Sequence, residues 1–241
     1  MYYAVLSDVH ANLEALEAVL RDADKRKIED ILFLGDAVGY GPDPNECVEL
    51  LERRCKILIA GNHDWGVTGL TDINYFNEYA RYAIEWTMGV ITDAHSKLLS
   101  SLPARKESKD DDMLLVHSTP REPEKWLYLL TLRDAEMNFD YFDNTFCFLG
   151  HSHQPFIIEK VPSGELLEYK ETARIKKSSR YIINAGSVGQ PRDGDARASY
   201  IVIGNSEVEI VRIPYNIEAV QEKMRNEYLP YPLIERLSTG R

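Results

Sequence analysis

Tyr2-Tyr-Ala-Val-Leu-Ser7-Asp8-Val-His10 is an apolar run that ends on two side chains able to bind a metal. The same order returns twice within the first 64 residues. Ile31-Leu-Phe-Leu34 runs into Gly35-Asp36, and Ile57-Leu-Ile-Ala60 runs into Gly61-Asn62-His63-Asp64. Between these runs Leu13, Leu16, Val19 and Leu20 recur at helical spacing after a turn at 8–12, and a second helix from about Pro44 carries Val48, Leu50 and Leu51. Asp36 lies 28 residues after Asp8, and Asn62 lies 26 after Asp36, about one βαβ unit each. Apolar strands without alternation, separated by helices, predict a parallel sheet covered on both faces.

Further along, residues 74–102 carry a helical pattern through Phe76, Tyr79, Ala83, Trp86 and Leu98, and 113–116 and 145–149 read as two more strands. Asp110-Asp-Asp112 reads as a solvated turn. From Phe156 the texture changes to short strands at 156–161, 165–169, 181–184, 200–204 and 208–213, punctuated by Pro-Ser-Gly and Gly-Asn-Ser turns. These predict an antiparallel meander packed on the α/β half, closed by a helix over 217–228. With no linker between the halves, residues 1–241 are expected to form one domain.

The 241 residues carry 39 acidic and 28 basic side chains, a net charge of −11, which argues against general nucleic-acid binding and against an anionic membrane surface. Cys47, Cys55 and Cys147 form no CxxC pair, so neither a disulfide framework nor a thiolate zinc site is indicated. No run approaches the ~20 apolar residues of a membrane span, and the N-terminal run is too short for a signal peptide. A reduced cytoplasmic protein is the expectation.

The chemistry lies at the strand ends. Of six histidines, five (His10, His63, His117, His151 and His153) directly follow apolar strands; His95 stands apart on a predicted helix. In open α/β sheets the carboxyl ends of strands converge on one edge, where sites form. Asp8/His10 and His151/His153 are i,i+2 pairs, which an extended backbone turns to the same side, so either pair could chelate one ion. Imidazole, carboxylate and amide oxygen without sulfur suit Mn²⁺, Fe or Zn²⁺.

Asp8-x-His10, Gly35-Asp36, Gly61-Asn62-His63-Asp64, the single His117 and Gly150-His151-x-His153 together resemble the five sequence blocks of the calcineurin-like metallophosphoesterase superfamily. Asn184-Ala-Gly-Ser187 is similar to a segment of its compact bacterial and archaeal members. The resemblance implies a mixed α/β fold, a four-layer αββα sandwich of two mixed sheets flanked by helices. It also implies two divalent metal ions, manganese foremost, with iron, zinc or nickel as alternatives. Asp8, His10 and His153 would hold one ion, Asn62, His117 and His151 the other, and Asp36 would bridge them. Two cations ~3.5–4 Å apart activate a water between them and clamp phosphoryl oxygens for in-line displacement. His63 would donate to the leaving oxygen, with Asp64 fixing its ring.

One departure narrows the substrate. Protein phosphatases and symmetric dinucleotide hydrolases of the superfamily carry an arginine where this chain has Tyr40, and a glutamate at Asp64. Losing that bidentate phosphate ligand disfavours a phosphoprotein. Arg121, Arg192 and Arg197 are candidates to replace it, and among Tyr40, Trp65, Tyr75, Phe76 and Trp126 the best placed to stack an aryl group or base are Tyr40 and Trp126, with Phe76 read as core. A small phosphodiester is the leading expectation. The alternatives are a diadenosine polyphosphate, a phosphomonoester or phosphoprotein, and a non-enzymatic scaffold on the same fold.

Overall fold

The structure is a computed structural model and describes residues 2–28 and 30–241. The turn expected after the first strand is closed by Asn12, whose Oδ1 accepts from Ala15 N at 3.1 Å and caps α1 (Leu13–Lys25). Pro44 opens α2 (Pro44–Arg54) at a position where a missing N–H costs nothing. These helices follow β1 (Tyr3–Leu6) and β2 (Asp30–Phe33), which pair in parallel, and β2 pairs in parallel with β3 (Ile57–Leu58).

Two six-stranded mixed sheets result among the described residues. The first runs β3-β2-β1 and continues, antiparallel, into β11 (Ala198–Gly204), β12 (Glu207–Ile213) and β9 (Thr172–Arg174). The second runs β4 (Arg105–Ser108), β5 (Met113–Val116), β6 (Phe146–Leu149), β10 (Arg180–Asn184), β7 (Phe156–Lys160) and β8 (Leu166–Tyr169). Within it β5, β6 and β10 are parallel.

Strand parity explains the unbroken apolar runs. Tyr3 and Val5 of β1, Leu32 of β2, Leu115 of β5, Phe148 of β6 and Ile183 of β10 meet between the sheets. Their neighbours Ala4, Leu6, Ile31 and Phe33 point to α1 and α2, and Leu114, Val116, Cys147 and Leu149 point to α6 (Leu132–Asn138) and Phe139. Successive side chains leave a strand on opposite faces, so a strand covered twice is apolar throughout. The outcome is the helix–sheet–sheet–helix sandwich expected from the motifs.

Three expectations are corrected. The strands after Phe156 do not form one meander: β7, β8 and β10 complete the second sheet, while β9, β11 and β12 complete the first. Period-two alternation marks a strand's faces but not its partner, and β10, apolar on both faces, is drawn between β6 and β7. The helical stretch at 74–102 is two helices, α4 (Glu78–Val90) and α5 (Asp93–Ser101), following α3 (Asn62–Val67). Thr92 breaks it by accepting the His95 N–H at 3.3 Å. The C-terminus holds α7 (Ile217–Asn226) and also α8 (Tyr231–Thr239), whose Leu233, Ile234 and Leu237 pack with Val220, Met224 and Tyr40. No helix among the described residues is long and apolar enough to cross a membrane.

Phe148→Ala should cost about 3–5 kcal/mol, because the ring is fully buried between the sheets and little can collapse into the gap. Tyr231→Ala, at a side chain 63% exposed, should stay within about 0.5 kcal/mol. Denaturant unfolding of both variants checks the contrast.

Candidate metal centre

Each strand run ends by handing its polar residue to a loop laced to its neighbours. Asp8 N donates to Gly35 O at 3.0 Å, His10 N to Asp36 O at 2.9 Å and Ala11 N to Ala37 O at 2.8 Å. His151 N donates to Asp8 Oδ2 at 2.9 Å and His63 N to Asp36 Oδ1 at 2.8 Å. The loops lie so close that a Cβ on Gly61 would fall 2.1 Å from Asp36 Oδ1, and one on Gly150 1.9 Å from Ser7 Oγ. The Asn184 amide donates to Gly150 O and Ser152 Oγ, and Ser187 Oγ to Asp8 O, so the asparagine-glycine-serine segment braces the loops of Asp8 and His151.

The backbone of the two i,i+2 pairs is not extended, as their spacing had suggested. Asp8, His10, His151 and His153 all have positive φ, between 49° and 63°, as does Asp36 at 59°. These left-handed turns divide the second pair. Asp8, His10 and His153 converge as one cluster, Asp36, His117 and His151 as another, and His10, Asp36 and His63 as a third, all buried. Asp36 Oδ2 lies 3.7 Å from His10 Nε2 and 3.2 Å from His117 Nε2, between the first two groups. Asn62 Oδ1 is 3.1 Å from His117 Nε2.

Ring orientation tests whether these residues suit a metal. His10 Nδ1 donates to Val38 O (3.1 Å), His117 Nδ1 to Leu34 O (2.9 Å), His153 Nδ1 to Gln190 O (2.5 Å) and His151 Nε2 to Trp126 O (2.9 Å). A carbonyl only accepts, so each bond leaves the opposite nitrogen as the lone-pair donor. His10 Nε2 and His153 Nε2 then face each other at 3.1 Å, beside an Asp8 Oδ1 that has no hydrogen-bond partner. Lone pairs gathered this closely repel unless a cation lies among them. The donor set therefore fits divalent metal.

The charges agree with that reading. Burial pushes Asp8 and Asp36 up, but the surrounding histidines, His153 and His117 foremost, hold both well below the usual carboxylate range. Burial, then the charge on His117, brings His151 down to about 3, and burial, then Arg192, brings His153 to about 4. His117 stands apart: burial opposes its charged form, yet the Asp36 carboxylate outweighs it and raises the ring to about 9. That proton occupies the place a cation would take.

The remaining candidates divide. His63 lines the cleft, and burial, with the nearby charges of His10, His153 and Arg192, holds its ring well below its ordinary value and hence neutral. Asp64 does not orient that ring, because its carboxylate is fully engaged elsewhere. It accepts from the backbone N–H groups of Asp36 (2.8 Å), Ala37 (2.9 Å), Gly61 (3.0 Å) and Val38 (3.3 Å), while His63 Nδ1 has no partner. Burial, then the charge of Asp36, pushes Asp64 up to about 7. Arg121 turns away from the cleft, pairing with Glu122 and lying over Tyr141, and Arg197 is engaged by Asp195. Arg192 lies over the Tyr40 ring, with Nη2 3.2 Å from Tyr40 Oη.

The cleft is about 650 Å³ and combines His63, Asn62 and His151 with Tyr40, Phe76, Trp126 and Tyr128. Phe76, expected as core, does both jobs: it packs on the core and lines the cleft. Trp65 instead packs edge-on against Trp126, 5.3 Å between centroids. Tyr128 stacks on His151 at 4.2 Å and was not singled out from the sequence, where nothing but its distance from His117 marks it.

Residues 1–207 match the sequence profile described as the calcineurin-like phosphoesterase superfamily domain. An uncharacterized protein of Methanocaldococcus jannaschii is 43% identical over 247 residues, spanning 99% of this chain and 98% of its own. The crystal structure of a metallophosphoesterase from Sphaerobacter thermophilus is 43% identical and superposes with a TM-score of 0.87 over 100% of this chain and 99% of its own. A hypothetical protein from Pyrococcus horikoshii, 19% identical, shares the fold, with a TM-score of 0.82 over 100% of this chain and 98% of its own. With its strand-end donors gathered as described, the chain belongs to the calcineurin-like phosphoesterase superfamily and is a phosphoester hydrolase.

Proposed function

We propose that the protein hydrolyses small phosphodiesters at a pair of divalent cations, manganese foremost, with iron, zinc or nickel as chemically admissible replacements. Asp8, His10 and His153 would hold one ion, Asn62, His117 and His151 the other, and Asp36 both. Such a pair, when bound, supplies a nucleophile at neutral pH and neutralises phosphoryl oxygens. The observation that carries this reading is the commitment of one ring N–H on each of four histidines to a backbone carbonyl, which turns the four opposite ring nitrogens inward as candidate ligands.

The chain's own residues supply the rest. His63, neutral and with Nδ1 unpartnered, sits on the cleft wall 4.5 Å from the Tyr40 ring and 4.8 Å from His10, and donates to the departing oxygen. Asp64 acts at one remove, by holding the loop that presents Asp36. Tyr40, Phe76, Trp126 and Tyr128 favour an aryl or nucleoside substituent on the phosphate. A diester, which carries one negative charge fewer than a monoester, suits a cleft in which Tyr40 stands where a phosphate-binding arginine would be. A complete donor set argues against the scaffold reading.

Metal-depleted protein should be inactive, and added Mn²⁺ should restore turnover of a bis-aryl phosphate above that of a mono-aryl phosphate. Lack of metal-dependent turnover on both would refute the enzyme reading, and a strong monoester preference would refute the diesterase. Asp36→Ala should lose both ions by elemental analysis and nearly all activity. His63→Ala should keep its metals and slow esters with poor leaving groups by ~10²–10³, the worth of one hydrogen-bond donor to the charge developing on the departing oxygen, sparing those with good ones. An equal loss across leaving groups would remove His63 from that role. Asp64→Ala strips four backbone N–H groups of their acceptor and should cost about 2–5 kcal/mol in denaturant unfolding.

A further inference from the structure

Behind Tyr40, on the His153 side of the centre, two guanidinium groups share one neutral acceptor. Arg192 Nη2 lies 2.9 Å and Arg236 Nη1 3.3 Å from Gln190 Oε1. Arg192 comes from the loop after Ser187 and Arg236 from α8, so the pair exists only when the C-terminal helix is docked. Both are half-buried, and among the described residues neither makes an ion pair.

This arrangement is costly as it stands. Two like charges crowd one amide oxygen, and Arg236 is lowered from its ordinary value by burial and then by Arg192. The cluster also has far more donors than acceptors. Arg192 Nε and Gln190 Nε2 are buried without a partner, and the oxygens at hand are Gln190 Oε1 and Tyr40 Oη. Donor excess and uncompensated positive charge in a chain of net charge −11 are what a multivalent oxyanion would relieve. Its position is equally specific. The Gln190 carbonyl accepts from the His153 ring, Arg192 N donates to His153 O at 3.2 Å, and the Tyr40 ring stands 4.5 Å from His10.

We propose that Arg192, Arg236, Gln190 and Tyr40 form a second phosphate subsite beside the Asp8–His10–His153 group, so that the substrates of the proposed hydrolase include compounds carrying two or more linked phosphates. In hydrolysis of such a compound water would add to the phosphorus seated by Asp8, His10, Asp36 and His153 while its P–O bond to the next phosphate breaks, and that phosphate would leave as an anion held by the two arginines. This rests on the proposed hydrolase function for the reaction but not for the binding.

The test is isothermal titration of the metal-free full-length protein with tripolyphosphate and with orthophosphate. Wild type should bind tripolyphosphate at least 10-fold tighter than orthophosphate. Arg192→Gln and Arg236→Gln should each weaken tripolyphosphate about 10- to 100-fold. Arg236→Lys, which keeps the charge but loses the fork, should fall between. Arg225→Gln, an exposed arginine of α7 away from the cluster, should bind as wild type does. Melting curves identify any variant that fails to fold, in which case Arg236→Lys carries the comparison. Equal affinity for the two anions, or folded Arg192 and Arg236 variants that bind like wild type, would overturn the subsite. Because no metal is present, an inactive enzyme in the hydrolysis assays would leave this result standing on its own.

Discussion

Four hydrogen bonds from imidazole N–H groups to main-chain carbonyls govern this molecule's chemistry. Leu34 and Val38, both in the loop after β2, and Trp126 and Gln190, in two further loops, supply the acceptors. An imidazole has one donor and one acceptor when neutral, so binding the donor outward necessarily turns the acceptor inward. The orientation of these four histidines thus depends on the path of a neighbouring loop, and the loops in turn depend on the packing of the strands beneath them.

That dependence is visible in the backbone. Asp8, His10, Asp36, Tyr40, His151 and His153 all occupy left-handed conformations, where side-chain-bearing residues cost of order 1–3 kcal/mol each. Glycine would relieve the strain and remove the ligand. The surrounding bonds hold the strained turns instead: Asp64 gathers four N–H groups, Asn184 and Ser187 tie down the Gly150 and Asp8 carbonyls, and Gly61 and Gly150 permit the approach that these contacts require.

Charge is distributed on the same logic. A net charge of −11 suggests a surface hostile to phosphate, but it describes the whole chain and not the cleft. Asp8 and Asp36 belong to that excess as buried donors, and cations held by them would reverse the local sign. Arg192 and Arg236 add positive charge on the His153 side, whereas Arg121 and Arg197 are absorbed by Glu122 and Asp195.

Much of this was legible from one dimension. The apolar runs at β1, β2, β5 and β6 declare strands because burial on both faces leaves no polar positions, and the residue types at their ends announce metal chemistry because few other uses would collect aspartate, asparagine and five histidines there. Those features are local: they depend on the chain's own period and on the residue types that terminate each run. The tertiary structure alone decided which sheet each later strand joined, that Asp64 serves the backbone instead of the His63 ring, and that Arg236 reaches Gln190 from 46 residues away. Periodicity tells a residue which way to face, while its partner is chosen by how the layers pack, and that information is held by the whole core and by no single segment.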